Sequence, residues 1–224
     1  MPTPVESRAI LQRLTDTAVE AGNDILVRLN GSPEVRRAAL LESVPEMVGY
    51  YSDGSAALAA DSYDEARELA GVASRYTADA VVLDRTVKLR RAIAWAAAPL
   101  LIDPDDVFAT GKRLAEVISL DVARPFRDTI TVNRRQDPAS VGWKRITNKC
   151  CGFCRMLADR GAVYRESTAR FAAHPHCDCS AAPVFTTGET GPEASAIQYM
   201  ASKRKRTPAE KAELRDFLSL YYSD

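Results

Sequence analysis

The residues that bind soft metal ions are confined to one short stretch of this chain. All five cysteines and both histidines lie between Cys150 and Cys179. A structural zinc ion takes four thiolate or imidazole ligands in a tetrahedron. A Cys-x-x-Cys turn with a second Cys/His group about twenty residues later can supply them. The sequence therefore predicts one zinc site, formed by the clusters Cys150-Cys151-Gly152-Phe153-Cys154 and His174-Pro175-His176-Cys177-Asp178-Cys179.

Cys151 and Cys154 are the firmest pair of candidate ligands. The small Gly152 between them allows a tight turn, and the backbone amides of such a turn can donate hydrogen bonds to thiolate sulfur. Cys150 is then the spare cysteine of the first cluster.

The second cluster supplies the other two ligands. The preferred ones are His174 and Cys179, and His176 and Cys177 are the nearest substitutes. Four protein ligands make a zinc ion structural, because a catalytic zinc keeps one position open for water. Asp178 is the only nearby carboxylate that could serve such a zinc as a base. The predicted cofactor is therefore one structural zinc ion.

Two other interpretations of the cysteines stay open. Buried thiols can pack as small hydrophobic groups. Alternatively, Cys151 and Cys154 could form a redox pair, although the βαβ pattern expected around a thioredoxin-like site is absent. The chain also lacks a Gly-rich phosphate loop, a His-Glu-x-x-His motif and a Gly-x-Ser-x-Gly motif. We therefore expect no enzymatic activity and no small-molecule substrate.

The N-terminal residues and the hydropathy of the chain favour folding in the cytoplasm. The first residues lack the regions of a signal peptide, and the longest apolar run, 92–102, is shorter than a bilayer span, so we expect no membrane partner. Thiols stay reduced in the cytoplasm, so clustered cysteines there are more often metal ligands than disulfides.

Residues 1–129 have the three- and four-residue apolar spacing of amphipathic helices and are predicted to form a helical domain. Ser32 and Pro33 are typical of a helix start, and Pro45 is predicted to end or kink that helix. Gly54 and Gly71 are weak points of the stretch that follows. The predicted helices cover residues 5–30, 33–43, 46–74 with a break, 83–101 and 105–128.

The sequence pattern changes near residue 129. Isolated apolar residues among Thr, Asn, Gly and Pro predict short strands at 130–132, around Trp143, at 162–164 and at 182–185. A short helix is predicted at 155–160. These residues form a predicted α+β metal-binding module, 130–185, followed by a segment, 186–224, that holds a linker and a C-terminal helix capped by Thr207. The predicted fold class is mainly α.

The net charge gives no global field that would attract nucleic acid or an anionic membrane, because 30 basic residues balance 30 acidic ones. Any contact with DNA must therefore come from local basic patches. The candidates are Lys203–Arg206, Arg134 with Arg135, and the group Lys144, Arg145 and Lys149.

The Cys/His region resembles the Mu F-like minor head proteins of tailed bacteriophages, in the form found in phages of actinobacteria. The resemblance rests on residues 151–164 (CGFCRMLADRGAVY), on residues 174–179 (HPHCDC) and on residues 183–185 (PVF). In that family a His-Pro-x-Cys-x-Cys-like element stands near the end of the domain. His174, Pro175, Cys177 and Cys179 match it, which is why His174 is preferred over its neighbour.

The resemblance implies a structural protein present in a few copies inside the phage head, after folding in the host cytoplasm. Its implied partners are the portal or the major capsid protein, and its implied role is head assembly and genome delivery. Two alternatives follow from the residues alone. One is a zinc-containing nuclease or other nucleic-acid-processing enzyme. The other is a regulatory zinc-finger protein, which the balanced charge disfavours.

Overall fold

The computed structural model describes residues 3–147, 152–159, 179–185 and 207–221. This part of the chain is mainly helical, as predicted, and contains a two-stranded sheet. None of the described helices combines the length and the hydropathy needed to cross a bilayer. The elements in chain order are α1 (Pro4–Arg28), α2 (Pro33–Leu69), α3 (Thr86–Ala96), a short 3₁₀ helix (Ala98–Leu101), α4 (Val107–Val122), α5 (Arg124–Gln136), β1 (Gly142–Ile146), α6 (Gly152–Ala158), β2 (Ser180–Val184) and α7 (Pro208–Tyr221).

Local sequence signals set both ends of α1 and the start of α2. Thr3 and Glu6 form a capping box: the Thr3 hydroxyl accepts a bond from the Glu6 amide, and the Glu6 carboxylate accepts one from the Thr3 amide. After α1, Gly31 has a φ of 105°, which costs glycine little. Ser32 then caps α2 by accepting a bond from the Val35 amide, as predicted.

The second helix was predicted to run to about residue 43, with Pro45 ending or kinking it. The predicted helix end is wrong, because α2 continues through Pro45 to Leu69. A proline inside a helix costs about 3 kcal/mol. Leu40, Val44 and Val48 lie on either side of it, and all three are buried. Because burial of each such side chain contributes about 1.5–3 kcal/mol, their packing outweighs the proline.

Of the two glycines predicted to weaken the helix over residues 46–74, only Gly71 coincides with a helix end. Gly54 lies inside the helix. Gly71 has a φ of 67°, its amide donates to the Glu68 carbonyl at 2.9 Å, and the Val72 amide donates to the Arg67 carbonyl at 3.2 Å. These two bonds form the Schellman motif that ends many helices, and glycine is the residue that best tolerates its left-handed position.

The boundary between helices and strands lies later than predicted. The expected helix 105–128 is divided at Ala123 into α4 and α5, and Pro125 occupies the first turn of α5, where its missing amide is tolerated. Residues 130–132 are helical rather than extended. Phe126 and Ile130 are one turn apart on α5 and are both buried, so packing overrides the strand propensity of this β-branched stretch.

Two hydrophobic cores share the long helix α2. The first, which we call the aliphatic core, joins α1, α2, α3 and α4; its buried members are mainly Ala, Val, Leu and Ile. The second, which we call the aromatic core, joins α1, α2, α5 and the sheet; it contains Leu11, Tyr63, Phe126, Ile130 and Trp143. The sheet thus packs on the helical region through the aromatic core.

The elements after α5 agree in part with the prediction. Strands occur at β1 and β2, as expected around Trp143 and at 182–185, and α7 confirms the C-terminal helix. The strand predicted at 162–164 lies outside the described residues. Helix α5 runs through residue 129, and the division of the chain into units 1–129, 130–185 and 186–224 stays a prediction.

Candidate metal centre

The sheet places Cys179 at a defined position in the fold. Strands β1 and β2 are antiparallel, with Gly142 opposite Val184 and Ile146 opposite Ser180. All five residues of β2 are buried, and their small side chains allow it to contact α5 and α2 closely. Cys179 directly precedes β2 and is fully buried. Cys179 therefore enters the fold at the start of a buried strand.

The described part of the first cluster is helical. The prediction placed a Cys-x-x-Cys turn before a helix at 155–160, but α6 begins at Gly152, so Cys154 lies inside the helix. Met156 and Leu157 are buried on the same short helix, which contacts β1. Burial of these apolar side chains explains why the helix starts within the motif. Cys154 is itself buried.

The topology brings Cys154 and Cys179 towards one end of the sheet. Because the strands are antiparallel, the end of β1 at Ile146 lies beside the start of β2 at Ser180. Cys179 precedes Ser180 by one residue, and α6 with Cys154 begins six residues after Ile146. The elements that carry or adjoin the two described cysteines therefore connect to the same end of the sheet, an arrangement compatible with ligands of one ion.

Arg127 on α5 holds the backbone of Cys179. Its Nε donates to the Cys179 carbonyl oxygen at 3.0 Å, and both residues are buried. They line a cavity of about 300 Å³, together with the buried Arg8 of α1. A hydrogen bond to the backbone of a ligand residue restricts the orientation of that residue.

A family model for the VG15 protein matches residues 4–203, which include the helical region and the whole Cys/His stretch. The chain belongs to the VG15 protein family. Membership in this viral family indicates a phage protein, so the predicted phage origin is confirmed at this level. No curated protein and no solved structure gives a significant match to the chain.

Two of the six predicted ligands of this VG15 protein, Cys154 and Cys179, lie in the described part of the chain. Within that part, no group of three or more His, Cys, Asp or Glu side chains could hold a metal ion. The other four candidates are outside the described residues, as is Cys150. They are Cys151, His174, His176 and Cys177. The soft donor chemistry and the burial of the two described thiols fit a structural zinc ion.

The sequence interpretation missed a buried ion pair between the helical region and the residues that lead to the sheet. Arg67 on α2 donates from Nε to Asp137 at 2.6 Å, and both side chains are buried. The Asp137 carboxylate also accepts bonds from the Tyr63 hydroxyl at 3.2 Å and from the Ala139 amide at 3.0 Å. Burial raises the pKa of the Tyr63 hydroxyl far above its usual range, which keeps it a neutral donor.

Arg67 also contacts the loop after α2 and the residue that follows β2. The Arg67 guanidinium lies 5.4 Å from the centre of the Tyr76 ring and 5.9 Å from that of Phe185, just after β2. It also donates to Ser74. Asn133 on α5 bonds both the amide and the carbonyl of Asp79. These contacts hold residues 74–79 on α5 and bring α2 to the end of β2.

The basic residues predicted to contact DNA near the cysteines are poorly placed for it. Arg134 on α5 and Arg145 on β1 are buried, and Lys144 is half-buried. Only Arg135 among the described candidates is exposed, while Lys149 and the run 203–206 lie outside the described residues. Periodicity explains the difference, because successive side chains alternate between the two faces of a strand and lie about 100° apart around a helix.

Proposed function

We propose that this VG15 protein is a minor head protein of a tailed phage or prophage. It acts inside the head, near the portal, in assembly and genome delivery. In this proposal its helical region docks on the portal or the major capsid protein, and the Cys/His region holds one structural zinc ion. The role is structural rather than enzymatic.

The family match carries the proposal. It extends over residues 4–203 and thus includes both the helical region and the two Cys/His clusters. The resemblance of residues 151–164 and 174–179 to Mu F-like minor head proteins supports the finer assignment within phage proteins.

An exposed apolar surface at one end of the helical region supports docking on another protein. Ile102 and Phe108 are 87% and 84% exposed, and Val27 and Val35 are also exposed. The turn between α1 and α2 lies at this end, and Arg36 on α2 donates to the Pro104 carbonyl at 2.8 Å. Exposed apolar side chains of this size mark protein interaction sites when they are contiguous, and these four are the candidates for such a contact.

The burial of Cys154 and Cys179, whose elements connect to one end of the sheet, supports the zinc ion. The sheet region is small, and small units of this kind commonly depend on a metal for stability. One zinc ion held by two clusters would join α6 to β2, because each element carries or adjoins one cluster.

Mass spectrometry of purified phage particles tests the proposal directly. We expect a few copies of the chain per particle, recovered with the head fraction, and about one zinc per chain by elemental analysis of the purified protein. Absence from mature and immature particles contradicts the head role. Cleavage of plasmid DNA that is lost on His174→Ala or His176→Ala would instead indicate a nuclease.

A further inference from the structure

Helix α3 is a basic helix in a chain of balanced charge. It carries Lys88, Arg90 and Arg91 and contains no acidic residue. All three basic side chains are exposed, and none of them makes an ion pair with another described residue. Three like charges on an eleven-residue helix repel one another, and an anionic partner would relieve this repulsion.

Helix α4 adds basic side chains and an aromatic contact to this surface. The two helices contact each other, and Arg85, just before α3, pairs with Asp121 near the end of α4. The Arg113 guanidinium lies 4.9 Å from the centre of the Trp95 ring and donates to the Trp95 carbonyl. Lys112 is exposed beside it.

The side chains form a continuous stripe. Lys88, Arg91 and Trp95 follow each other at three- and four-residue steps, which places them on one face of α3. Arg113 stacks on Trp95 at the end of this stripe, and half of the tryptophan side chain stays exposed. We call Lys88, Arg91, Trp95, Lys112 and Arg113 the α3–α4 stripe.

We propose that the α3–α4 stripe binds nucleic acid: its basic side chains contact backbone phosphates, and Trp95 stacks on an unpaired base. Lysine and arginine supply the sequence-independent part of such binding by releasing counterions. Stacking of a base on an aromatic ring contributes about 1–3 kcal/mol, and an arginine over the ring adds a cation–π contact. An acidic protein surface would use the same charges but gives no role to the exposed, stacked indole.

The inference goes beyond the proposed head role, because it assigns to the α3–α4 stripe a single-stranded nucleic acid as its ligand. It replaces the patch expected around residues 134–149, whose arginines at 134 and 145 are buried. It is independent of the zinc ion, because the stripe belongs to the aliphatic core region.

Fluorescence titration of the full chain with a 20-nucleotide single-stranded DNA tests the inference. Of the two tryptophans, Trp143 is only 3% exposed, so Trp95 is the residue that a bound base can quench. About four phosphate contacts predict that log K falls with log salt at a slope of about −3, at roughly 0.7 per contact. A duplex of the same sequence should bind without comparable quenching. Equal quenching by the single strand and the duplex would overturn the proposal that Trp95 stacks on an unpaired base.

Charge reversal then locates the site. The double variant Lys88→Glu, Arg91→Glu should bind at least tenfold more weakly and should halve the salt slope. Arg13→Glu, Arg75→Glu is the matched control, with the same change of net charge on exposed residues elsewhere, and should retain a much tighter Kd. Trp95→Phe should abolish quenching while circular dichroism stays unchanged.

Three results would overturn the inference, and none of them bears on the presence of the chain in phage heads. The first is no binding of either DNA at low salt. The second is equal affinity of the stripe variant and its control, which would assign binding to another basic segment such as 203–206. The third is competition by polyglutamate as effective as by DNA at matched charge, which would indicate an acidic protein partner.

Discussion

The aliphatic core and the aromatic core solve the same packing problem with different groups. The aliphatic core joins four helices through nonpolar side chains such as Leu40, Ile93 and Leu114. The aromatic core joins helices to a two-stranded sheet, and beside it lies the buried Arg67–Asp137 pair. Nonpolar packing tolerates substitutions that conserve side-chain volume, whereas a buried ion pair is lost when either partner is removed. Stability in the first region is therefore spread over many contacts, and in the second it depends on a few.

Removal of the predicted zinc ion should separate the two regions most strongly. Structural zinc contributes about 10–16 kcal/mol to the folding of small zinc-finger peptides. Chelation, or Cys154→Ser, should therefore expose the amides of β1, β2 and α6 to hydrogen exchange, while α3 and α4 keep their protection. Cys150→Ser is the control and should retain the metal. Full protection of both strands in a zinc-free sample would show that the aromatic core alone holds the sheet.

Arg67→Met should have the next largest effect. The substitution leaves the Asp137 carboxylate buried without its charged partner, and breaking a buried pair in this way costs about 3–5 kcal/mol. Urea unfolding measures the loss. The control is Arg85→Met, which breaks the more exposed pair with Asp121 and should cost less than about 1 kcal/mol. Similar losses of unfolding free energy for the two variants would mean that burial does not increase the contribution of the Arg67–Asp137 pair to stability.

In the aliphatic core, Leu114→Ala should lower the free energy of unfolding by about 2–5 kcal/mol through the cavity it leaves. Leu114 is fully buried on α4. Phe108→Ala on the same helix is the control, because Phe108 is exposed and should change stability by less than about 0.5 kcal/mol. A spread-out core also predicts that Leu114→Ala leaves hydrogen exchange in β1 and β2 unchanged. Loss of protection there would join the cores into one cooperative unit.

The aliphatic core was the more predictable region from sequence. Apolar residues three and four apart gave α1, the buried stripe of α4 and the start of α2, because local spacing determines which face of a helix is buried. The clearest error in this region involves a proline. Pro45 stays within a helix, because the tertiary packing of its neighbours outweighs its cost.

The aromatic core was less predictable, because its contacts join residues far apart in sequence. Arg67 and Asp137 are separated by 70 positions, and nothing in the local pattern of either indicates a partner. The candidate site is intermediate. Residue types and spacing selected Cys154 and Cys179, and the antiparallel pairing that connects their elements to one end of the sheet became visible only in the fold. Whether Arg134 and Arg145 face solvent also depended on the fold.

The smallest expected effect concerns Asp128 on α5, the helix that contributes Phe126 and Ile130 to the aromatic core. Burial raises the pKa of the Asp128 carboxyl above its ordinary value, and the guanidinium groups of Arg124 and Arg85 offset this only in part. The native state therefore binds a proton more readily than the unfolded chain. As a result, the free energy of unfolding should fall as pH rises from about 3.9 through the raised pKa.

Asp128→Asn removes that ionisation. It should raise the free energy of unfolding at pH 7 by less than about 1 kcal/mol, because it relieves the burial of charge but loses the partly exposed contact with Arg124. Urea unfolding between pH 4 and pH 7 should show a flatter pH dependence for the variant. A variant less stable than the parent at pH 7 would mean that the Arg124 contact outweighs the burial. In that case polar contacts would stabilise α5 at both of its ends, and the distinction between a nonpolar and a polar region would begin at Arg124 rather than at the sheet.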